Sequence, residues 1–442
     1  MNLLIIILAI LVFIVIAIAK FKIHPFITLI IASIILGFLM GLEGTLILDT
    51  ISQGFGNTLS NIGIIIAFGT IIGTFLEKSG GTRLIATSLL RLIGNKKSPL
   101  AINLTGILVS IPVFCDSGYI ILSSLNKALS KKTGISLVVF AVALSTGLYV
   151  SHVFVPPTPG PLAAAAALDA DLGLVILMGI AIAIPTAFVG YLWALKFGSK
   201  LSIKEKDLSL DALETPKNNK SILAVLLPIL IPIILIALRS IAKYPTHPFG
   251  DGILAEIFSF IGHPLVALFV GILFAMKLID QKTPVKERLD WVSSSLKEAG
   301  VIILITGAGG AFGSVLRSVN LSGMIETHFT DIQAGIFLPF ILAAILKTAQ
   351  GSSTVAIITS ATIIAPLMNA LGLESEMSRA LAVLAIGAGA MTVSHINDSY
   401  FWVVSQFSGM DTKTTLKSHT VATFFQGITA ITILFLAQIT VK

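Results

Sequence analysis

Runs of apolar, uncharged residues recur along this chain at close to the length that crosses a lipid bilayer, and that leaves few folds open. They are Leu3–Ala19, Pro25–Leu42, Ile62–Leu76, Leu137–Val155, Leu172–Ala194, Ile222–Leu238 and Pro264–Met276. A membrane-spanning helix needs about 20 such residues. Only 12% of the chain is charged, about half the usual share in soluble domains, so the runs cannot all be covered by a polar surface. An all-α polytopic membrane protein is expected. The first run ends in Ala17-Ile18-Ala19, which resembles a signal-peptide cleavage site. No positive charge precedes it, as a secretory signal requires, so it is expected to be a retained helix. A single cysteine, Cys115, excludes an internal disulfide.

The net charge of +7 does not point to nucleic acid, because the bases gather in particular loops. These are Lys20 and Lys22, Lys78 to Lys97, Lys127 to Lys132, Lys196 to Lys220, Lys277 to Lys297, and Lys413 with Lys417. The loops between them are poor in bases and acidic: Glu43/Asp49, Asp169/Asp171 and Glu374/Glu376. Basic loops stay on the cytoplasmic side. A multi-pass protein of the cytoplasmic (inner) membrane follows, with both termini outside and residues 199–220 inside.

Three landmarks occur twice in the same order. His24-Pro25, Gly69-x-x-x-Gly73 and Val150-Ser151-His152 return as His263-Pro264, Gly309-x-x-x-Gly313 and Val393-Ser394-His395. Each copy lies about 240 residues after the first. Since the first half starts outside and ends inside, it crosses an odd number of times, and the second copy is inverted. The expected organisation is membrane repeat 1 over 1–198, a polar cytoplasmic linker over 199–220, and inverted membrane repeat 2 over 221–442. About 10 spanning helices and two re-entrant helical hairpins are expected, 12–14 helical membrane segments in all. The Gly-x-x-x-Gly pairs predict close helix packing. Arg83–Arg91 predicts a short amphipathic helix on the inner surface.

Four polar interruptions break the apolar pattern. Pro112 to Tyr119 lies between two basic loops on the same side, so the chain enters and returns as a hairpin with Asp116 near its tip. Asp116 is either functional or a cap on the helix from Ser117. The counterpart in the second half is Lys347 to Thr354. Lys347 is the only base that this topology leaves inside the membrane. It either faces a substrate anion or pairs with Asp116 or Asp398. Gly351, Ser352, Ser353 and Thr354 at a half-helix start provide hydroxyls and amides for an anion. His152 precedes Pro156-Pro157-Thr158-Pro159-Gly160-Pro161, which cannot continue a helix. In Ser394 to Trp402, a helix would put His395, Asp398 and Ser399 on one face, while Asn397 and Asp398 equally favour local unwinding. Asp398 can exchange a proton and His395 titrates nearest neutral pH.

These segments resemble the gluconate permease family of proton symporters over nearly the whole chain. The resemblance is carried by Phe114-Cys115-Asp116-Ser117-Gly118-Tyr119, Val155 to Pro161, Ala349-Gln350-Gly351-Ser352-Ser353-Thr354-Val355-Ala356 and Ser394-His395-Ile396-Asn397-Asp398. It implies proton-coupled import of gluconate or a related small hydroxy-carboxylate, D-serine included. The family commonly has arginine where Lys347 stands, histidine at Thr158 in several gluconate transporters, and an aromatic residue at Cys115.

The expected function is therefore secondary active transport by alternating access, not catalysis. Lys347, Gln350, Gly351, Ser352, Ser353, Thr354, Asn397, Ser117, Gly118 and Thr158 would hold the substrate. Asp116, Asp398 and His395 would take the coupling proton. No metal and no cofactor are expected; the partners are the anion, protons and the bilayer, with a homo-oligomer left open. Sodium coupling through freed carbonyls and hydroxyls is the alternative. A hydrolase built from Ser394, His395 and Asp398 is disfavoured, since three residues on one short segment cannot easily take up nucleophile–base–orienter geometry.

Overall fold

The computed structural model describes residues 3–94, 97–201, 203, 220–242, 249, 252–318, 335–396 and 398–441. Among these residues there are helices and turns but no strand. The first half contains α1 (Leu3–Ala19), α2 (Pro25–Leu39), α3 (Gly44–Lys78), α4 (Gly81–Ile93), α5 (Ser98–Val109), α6 (Cys115–Thr133), α7 (Leu137–Phe154), α8 (Pro159–Ala167) and α9 (Leu172–Lys196). The second contains α10 (Ile222–Ala242), α11 (Ile253–Ile261), α12 (Pro264–Met276), α13 (Val285–Ser318), α14 (Phe337–Gln350), α15 (Ser353–Ile364), α16 (Glu376–Met391), α17 (Ser399–Ser408) and α18 (Val421–Val441). Residues 202 and 204–219 of the linker expected over 199–220 lie outside the described residues.

The repeated His-Pro dipeptide starts a helix each time. The His24 ring accepts the Phe26 N–H at 3.3 Å, and Pro25 fills the first helical position, where no N–H partner exists anyway. His263 accepts the Leu265 N–H at 3.3 Å in the same way at the start of α12. Both histidines cap the helices that they precede.

Six described helices are long and apolar enough to cross a membrane, or seven if the pair α11–α12, bent by 63°, forms one span. That is fewer than the ten or so expected. The difference arises because α2, α5, α14 and α15 are apolar yet only 10–17 residues long. The core helix is α7, every residue of which from Val138 to Phe154 is buried. A helix apolar on all sides belongs inside a bundle, and α5, α6, α9 and α16 surround this one.

Two long helices, α3 and α13, run side by side. A side chain at Gly54 would strike Ser314, one at Gly63 would approach Ile303, and the Ser295 hydroxyl donates to Thr74 Oγ1 at 2.9 Å. Partners thus descend along α13 as residues ascend along α3, so the pair is antiparallel.

The Gly-x-x-x-Gly motif does something other than pair two helices. A Cβ at Gly69 would sit 3.0 Å from the Pro157 carbonyl oxygen, and one at Gly73 would overlap the Pro112 carbonyl. Both glycines of α3 therefore admit the backbone of the two non-helical segments of the first half. In the second half, Gly309 receives the Thr362 hydroxyl of α15. Other glycines do bring helices together. Gly147 of α7 lies against the Asn103 carbonyl of α5, and Gly389 of α16 lies against the Phe340 carbonyl of α14. At one exposed end, Arg379 at the start of α16 pairs with Asp169 at 2.7 Å, joining the two halves.

A side chain at Gly147 or Gly73 must displace backbone rather than a flexible side chain. Gly147→Val and Gly73→Leu are each expected to cost about 2 kcal/mol or more. The check is the apparent Tm of the detergent-solubilised protein, followed by size-exclusion after heating. Gly56→Val, at a position with no neighbour within 4 Å, should leave the Tm nearly unchanged.

Candidate functional site

The two hairpins are built differently. In α5–α6 the turn covers Ser110 to Phe114, and α6 starts at Cys115 with Phe114 in the cap position and no side-chain cap. Asp116 thus lies in the first turn of α6 and does not cap it. Its charge still suits the positive end of that helix. One carboxylate oxygen accepts from the Cys115 thiol at 3.8 Å; the other is buried with no protein partner among the described residues. Ser117 is half-buried beside it. The Gly118 N–H is committed to the Phe114 carbonyl at 2.9 Å, so Gly118 provides close packing against Leu148 rather than a free amide.

In α14–α15 the turn is only Gly351-Ser352. Gly351 has φ +91°, a conformation open to glycine, and its N–H returns to the Lys347 carbonyl at 2.9 Å. Ser352 caps α15 by accepting the Val355 N–H at 3.3 Å. The Gly351 amide is therefore used internally, and the first-turn amides of Ser353 and Thr354 are those that an anion could meet.

Lys347 is completely buried in the last turn of α14. Its ammonium donates to the Gly351 carbonyl, lies 5.9 Å from the centre of the Tyr149 ring, and pairs with Asp398 Oδ2 at 2.5 Å. Of the sequence alternatives, the structure shows the pair with Asp398. Asp398 in turn caps α17, accepting the Tyr400 N–H at 3.1 Å, and also accepts from the Ser394 hydroxyl. Each charge therefore sits at the helix end that favours it: the cation at the C-terminus of α14, the anion at the N-terminus of α17. Asp116 is close enough to interact electrostatically with both.

Residues 392–396 and Asp398 are not helical, and α17 begins only at Ser399. The common helical face of His395, Asp398 and Ser399 does not form. Val393 takes φ +59°, unusual for a β-branched residue. The segment is held by outside partners: Ser394 N–H donates to Thr423 Oγ1 at 3.1 Å, and the Ser394 carbonyl accepts from Thr420 at 2.5 Å. His395 turns away, its Nε2 3.0 Å from the Thr348 carbonyl of α14. That ring fastens the segment to α14 rather than forming a base with Ser394. Asn397 and the Gln350 side chain lie outside the described residues.

The break after α7 brings the hairpins together. His152 stands 6.1 Å, ring to ring, from Phe114 of the first tip, and its Nε2 is 3.3 Å from Thr354 Oγ1 of the second. Its Nδ1 and the Ser151 hydroxyl are buried without protein partners among the described residues. Thr158 is buried too, but donates to the Val155 carbonyl at 2.6 Å. Ser353 is buried beside Tyr149, whose hydroxyl donates to the Ala390 carbonyl at 3.3 Å. The interruptions singled out in the sequence thus converge around α7, with Thr158 and Gly118 as local structure at its margin.

Several residues of this cluster are not among the site residues to which the sequence pointed. Tyr119, Tyr149 and Tyr400 pack around the pair, with ring centres 6.2 Å apart and edge-to-face for Tyr119–Tyr400, and 5.2 Å apart and tilted for Tyr149–Tyr400. Tyr400 donates to the Ser145 carbonyl at 2.9 Å, and Tyr119 bonds Ser408. His419 is buried behind Ser394, its Nε2 3.1 Å from Ser394 Oγ and its Nδ1 3.0 Å from Ser145 Oγ. A usable hint exists for Tyr149, the one tyrosine in an otherwise apolar or small-residue run.

A cavity of about 260 Å³ lies between α3, α8, α13 and α15, lined among others by Asn57, Thr58, Thr306, Ser314 and Thr362. It reaches Ile358, one helical turn beyond Thr354, while Lys347 and Asp398 are shut away from it. Among the described residues, no group of three or more His, Cys, Asp or Glu side chains could hold a metal.

Residues 1–440 match the model of the GntP family permeases. A gluconate permease of Pseudomonas aeruginosa is 34% identical over 92% of this chain and 91% of its own length. The D-serine transporter DsdX of Escherichia coli K12 is 34% identical over 96% of both chains. Among solved structures, Neisseria gonorrhoeae MtrF, described with a class of antimetabolite efflux pumps, superposes with a TM-score of 0.67 over 95% of this chain and 96% of that one. Its 17% identity speaks for the fold alone.

Removing one member of a buried ion pair leaves an uncompensated charge, at about 3–5 kcal/mol. Lys347→Met and Asp398→Leu should therefore each lower thermal stability markedly. The double variant should recover most of the loss, because no charge is left buried. Chemical or thermal denaturation of the four proteins in one detergent measures this. A double variant less stable than both single ones would show that the pair is not the source of the loss.

Proposed function

Since this chain belongs to the GntP family of permeases, we propose that it is a proton-coupled symporter of gluconate or a related small hydroxy-carboxylate, working by alternating access in the cytoplasmic membrane. The observation that carries this is the buried Lys347–Asp398 pair, set where both hairpins and the non-helical residues 392–396 meet.

An incoming carboxylate competes with Asp398 for one ammonium. Once Lys347 turns to the substrate, an ionised Asp398 would be left buried without a counter-charge, which costs several kcal/mol. Protonation removes that cost. Substrate anion and proton then enter together, and the site keeps a single compensated positive charge throughout. A monovalent anion is carried without net charge. The carboxylate sits at Lys347 and at the first-turn amides of α15, where the helix dipole favours it. Ser352, Ser353, Thr354, Thr158, Asn397, Gln350 and Ser117 serve the hydroxyls, with Gly118 and Gly351 shaping the hairpins beside them. Asp116 is the second proton-accepting group, and His395 keeps the segment that bears Asp398 fastened to α14. The names of the relatives suit a ligand that carries both a carboxylate and hydroxyls.

The scaffold is an inverted repeat, 1–198 and 221–442, with the linker 199–220 inside and both termini outside. The antiparallel pairing of α3 with α13 supports it, as these helices carry the two Gly-x-x-x-Gly copies. So does the matching of Gly147 against Asn103 by Gly389 against Phe340. Contacts that repeat at nearly the same sequence offset fit a two-fold axis in the membrane plane.

The test uses purified protein. Thermal stabilisation by gluconate, glycerate, uronates or D-serine selects the ligand, and uptake of that ligand is then followed in proteoliposomes. An inward proton gradient with sodium equal on both sides should drive accumulation. Asp398→Asn should reduce it at least 100-fold, while Asp116→Asn acts on the same process. If both variants still accumulate substrate on a proton gradient, the coupling assignment is wrong. Drive by a sodium gradient alone at fixed pH would replace protons with sodium.

A further inference from the structure

Behind the ion pair runs a closed chain of hydrogen bonds that the transport reaction as described does not use. It starts at Asp398 Oδ2, which accepts from Ser394 Oγ. Ser394 Oγ lies 3.1 Å from His419 Nε2; His419 Nδ1 lies 3.0 Å from Ser145 Oγ; and Ser145 Oγ lies 3.1 Å from the Val142 carbonyl of its own helix. Ser394, His419 and Ser145 are all fully buried. Every inner member can both donate and accept, and the far end is a pure acceptor.

Such a chain has two complete arrangements with the same heavy-atom positions. With Asp398 ionised, Ser394 donates to it, His419 Nε2–H donates to Ser394, and Ser145 donates to Nδ1. With Asp398 protonated, every arrow reverses. The carboxyl O–H donates to Ser394, Ser394 donates to the now bare Nε2, Nδ1–H donates to Ser145, and Ser145 turns to the Val142 carbonyl. The proton count balances: Ser394 passes its hydrogen to Asp398 and is refilled from His419 Nε2, Ser145 passes its hydrogen to Nδ1, and the one added proton restores the Ser145 hydroxyl, so His419 stays neutral while changing tautomer.

We infer that His419 is a positioning residue for coupling: by changing tautomer it lets Asp398 take the proton without leaving any buried donor unpaired. This inference rests on the proton-coupled reading above and goes beyond it by naming the group that makes Asp398 switchable. A separate feature agrees. His419 lies in a π-helical turn, Leu416–Thr420, just before α18. Such turns re-aim a side chain and gather at functional positions. The same turn supplies Thr420, which with Thr423 holds Ser394 in place.

The groups facing His419 come from four elements. They are Lys347 on α14, Asp398 on the unwound segment, Tyr149 on α7 at 6.4 Å and Tyr400 on α17 at 5.5 Å between ring centres. On its own element Lys417 is exposed to the outside of the bundle. None of the others can exchange both a donor and an acceptor with Ser394.

The consequence is directional. Without the chain, protonated Asp398 leaves a buried hydroxyl or imidazole hydrogen with no acceptor, whereas ionised Asp398 leaves only an unfilled lone pair. The first is the greater loss. Substrate binding, which needs protonated Asp398, should then demand a lower pH.

Binding of the selected substrate is measured by thermal shift across pH 5 to 9 for four proteins. His419→Met is expected to move the midpoint down by about one pH unit. Ser145→Ala, a small change that folds readily and never touches Asp398, should move it the same way by roughly half as much. His419→Gln, whose amide can present either a donor or an acceptor, should stay near the wild type. A merely structural role for His419 predicts lower Tm with an unchanged midpoint in all three variants, and that result overturns the inference. Wild-type binding that ignores pH would instead overturn the proton-coupled reading itself.

Discussion

One lysine ammonium buried in the middle of a helical bundle sets the terms for everything around it. Lys347 has no access to solvent, so its charge must be met by fixed acceptors or an anion close by. The protein meets it three ways at once: the Asp398 carboxylate, the Gly351 carbonyl at the end of the same helix, and the face of Tyr149. The first requires Asp398 to be held at a helix start, which requires the chain to unwind before α17. The unwinding exposes backbone groups at depth, which Thr420 and Thr423 satisfy. Each irregularity in this region answers a need created by the one before it.

The two halves divide this work unequally. Matched glycine contacts and the antiparallel α3–α13 pair repeat the same packing on both sides. The charged pair, however, belongs wholly to the second half, and the first contributes a carboxylate on α6, the α7 core and the proline break. That division suits the alternating-access reading proposed above, in which one site would be served from either side in turn.

Much of this was legible in the residues. Apolar runs located four of the six long apolar helices but not α13 or α18, and prolines, glycines and buried charges marked all four interruptions that the fold gathers around α7. Where the sequence left alternatives, the outcome turned on contacts far away in the chain. Asn397-Asp398 allowed either helix or unwinding, and it is residues in the 420s that make unwinding affordable. Lys347 had two candidate partners, and only the tertiary fold brings Asp398 rather than Asp116 onto it. Gly118 looked like a hairpin amide, yet its N–H is spent inside the first turn of α6. His419 carried no local pattern at all, because a histidine four residues from Thr415 in a polar stretch reads as surface until the π turn places it inside. Span counting was limited for a similar reason: half-helices of 12 to 15 residues fall below the length that identifies a crossing.

The contact between Arg379 and Asp169 stands apart from the buried pair in one respect. It lies at an exposed end, with Arg379 also donating to the Asp169 carbonyl at 3.1 Å, and it ties the α8–α9 turn to the start of α16. Mobile ions shield such a surface pair but cannot reach one sealed inside. The ionic strength of the medium therefore acts on how tightly that end of the bundle is held, and leaves the central charge balance untouched.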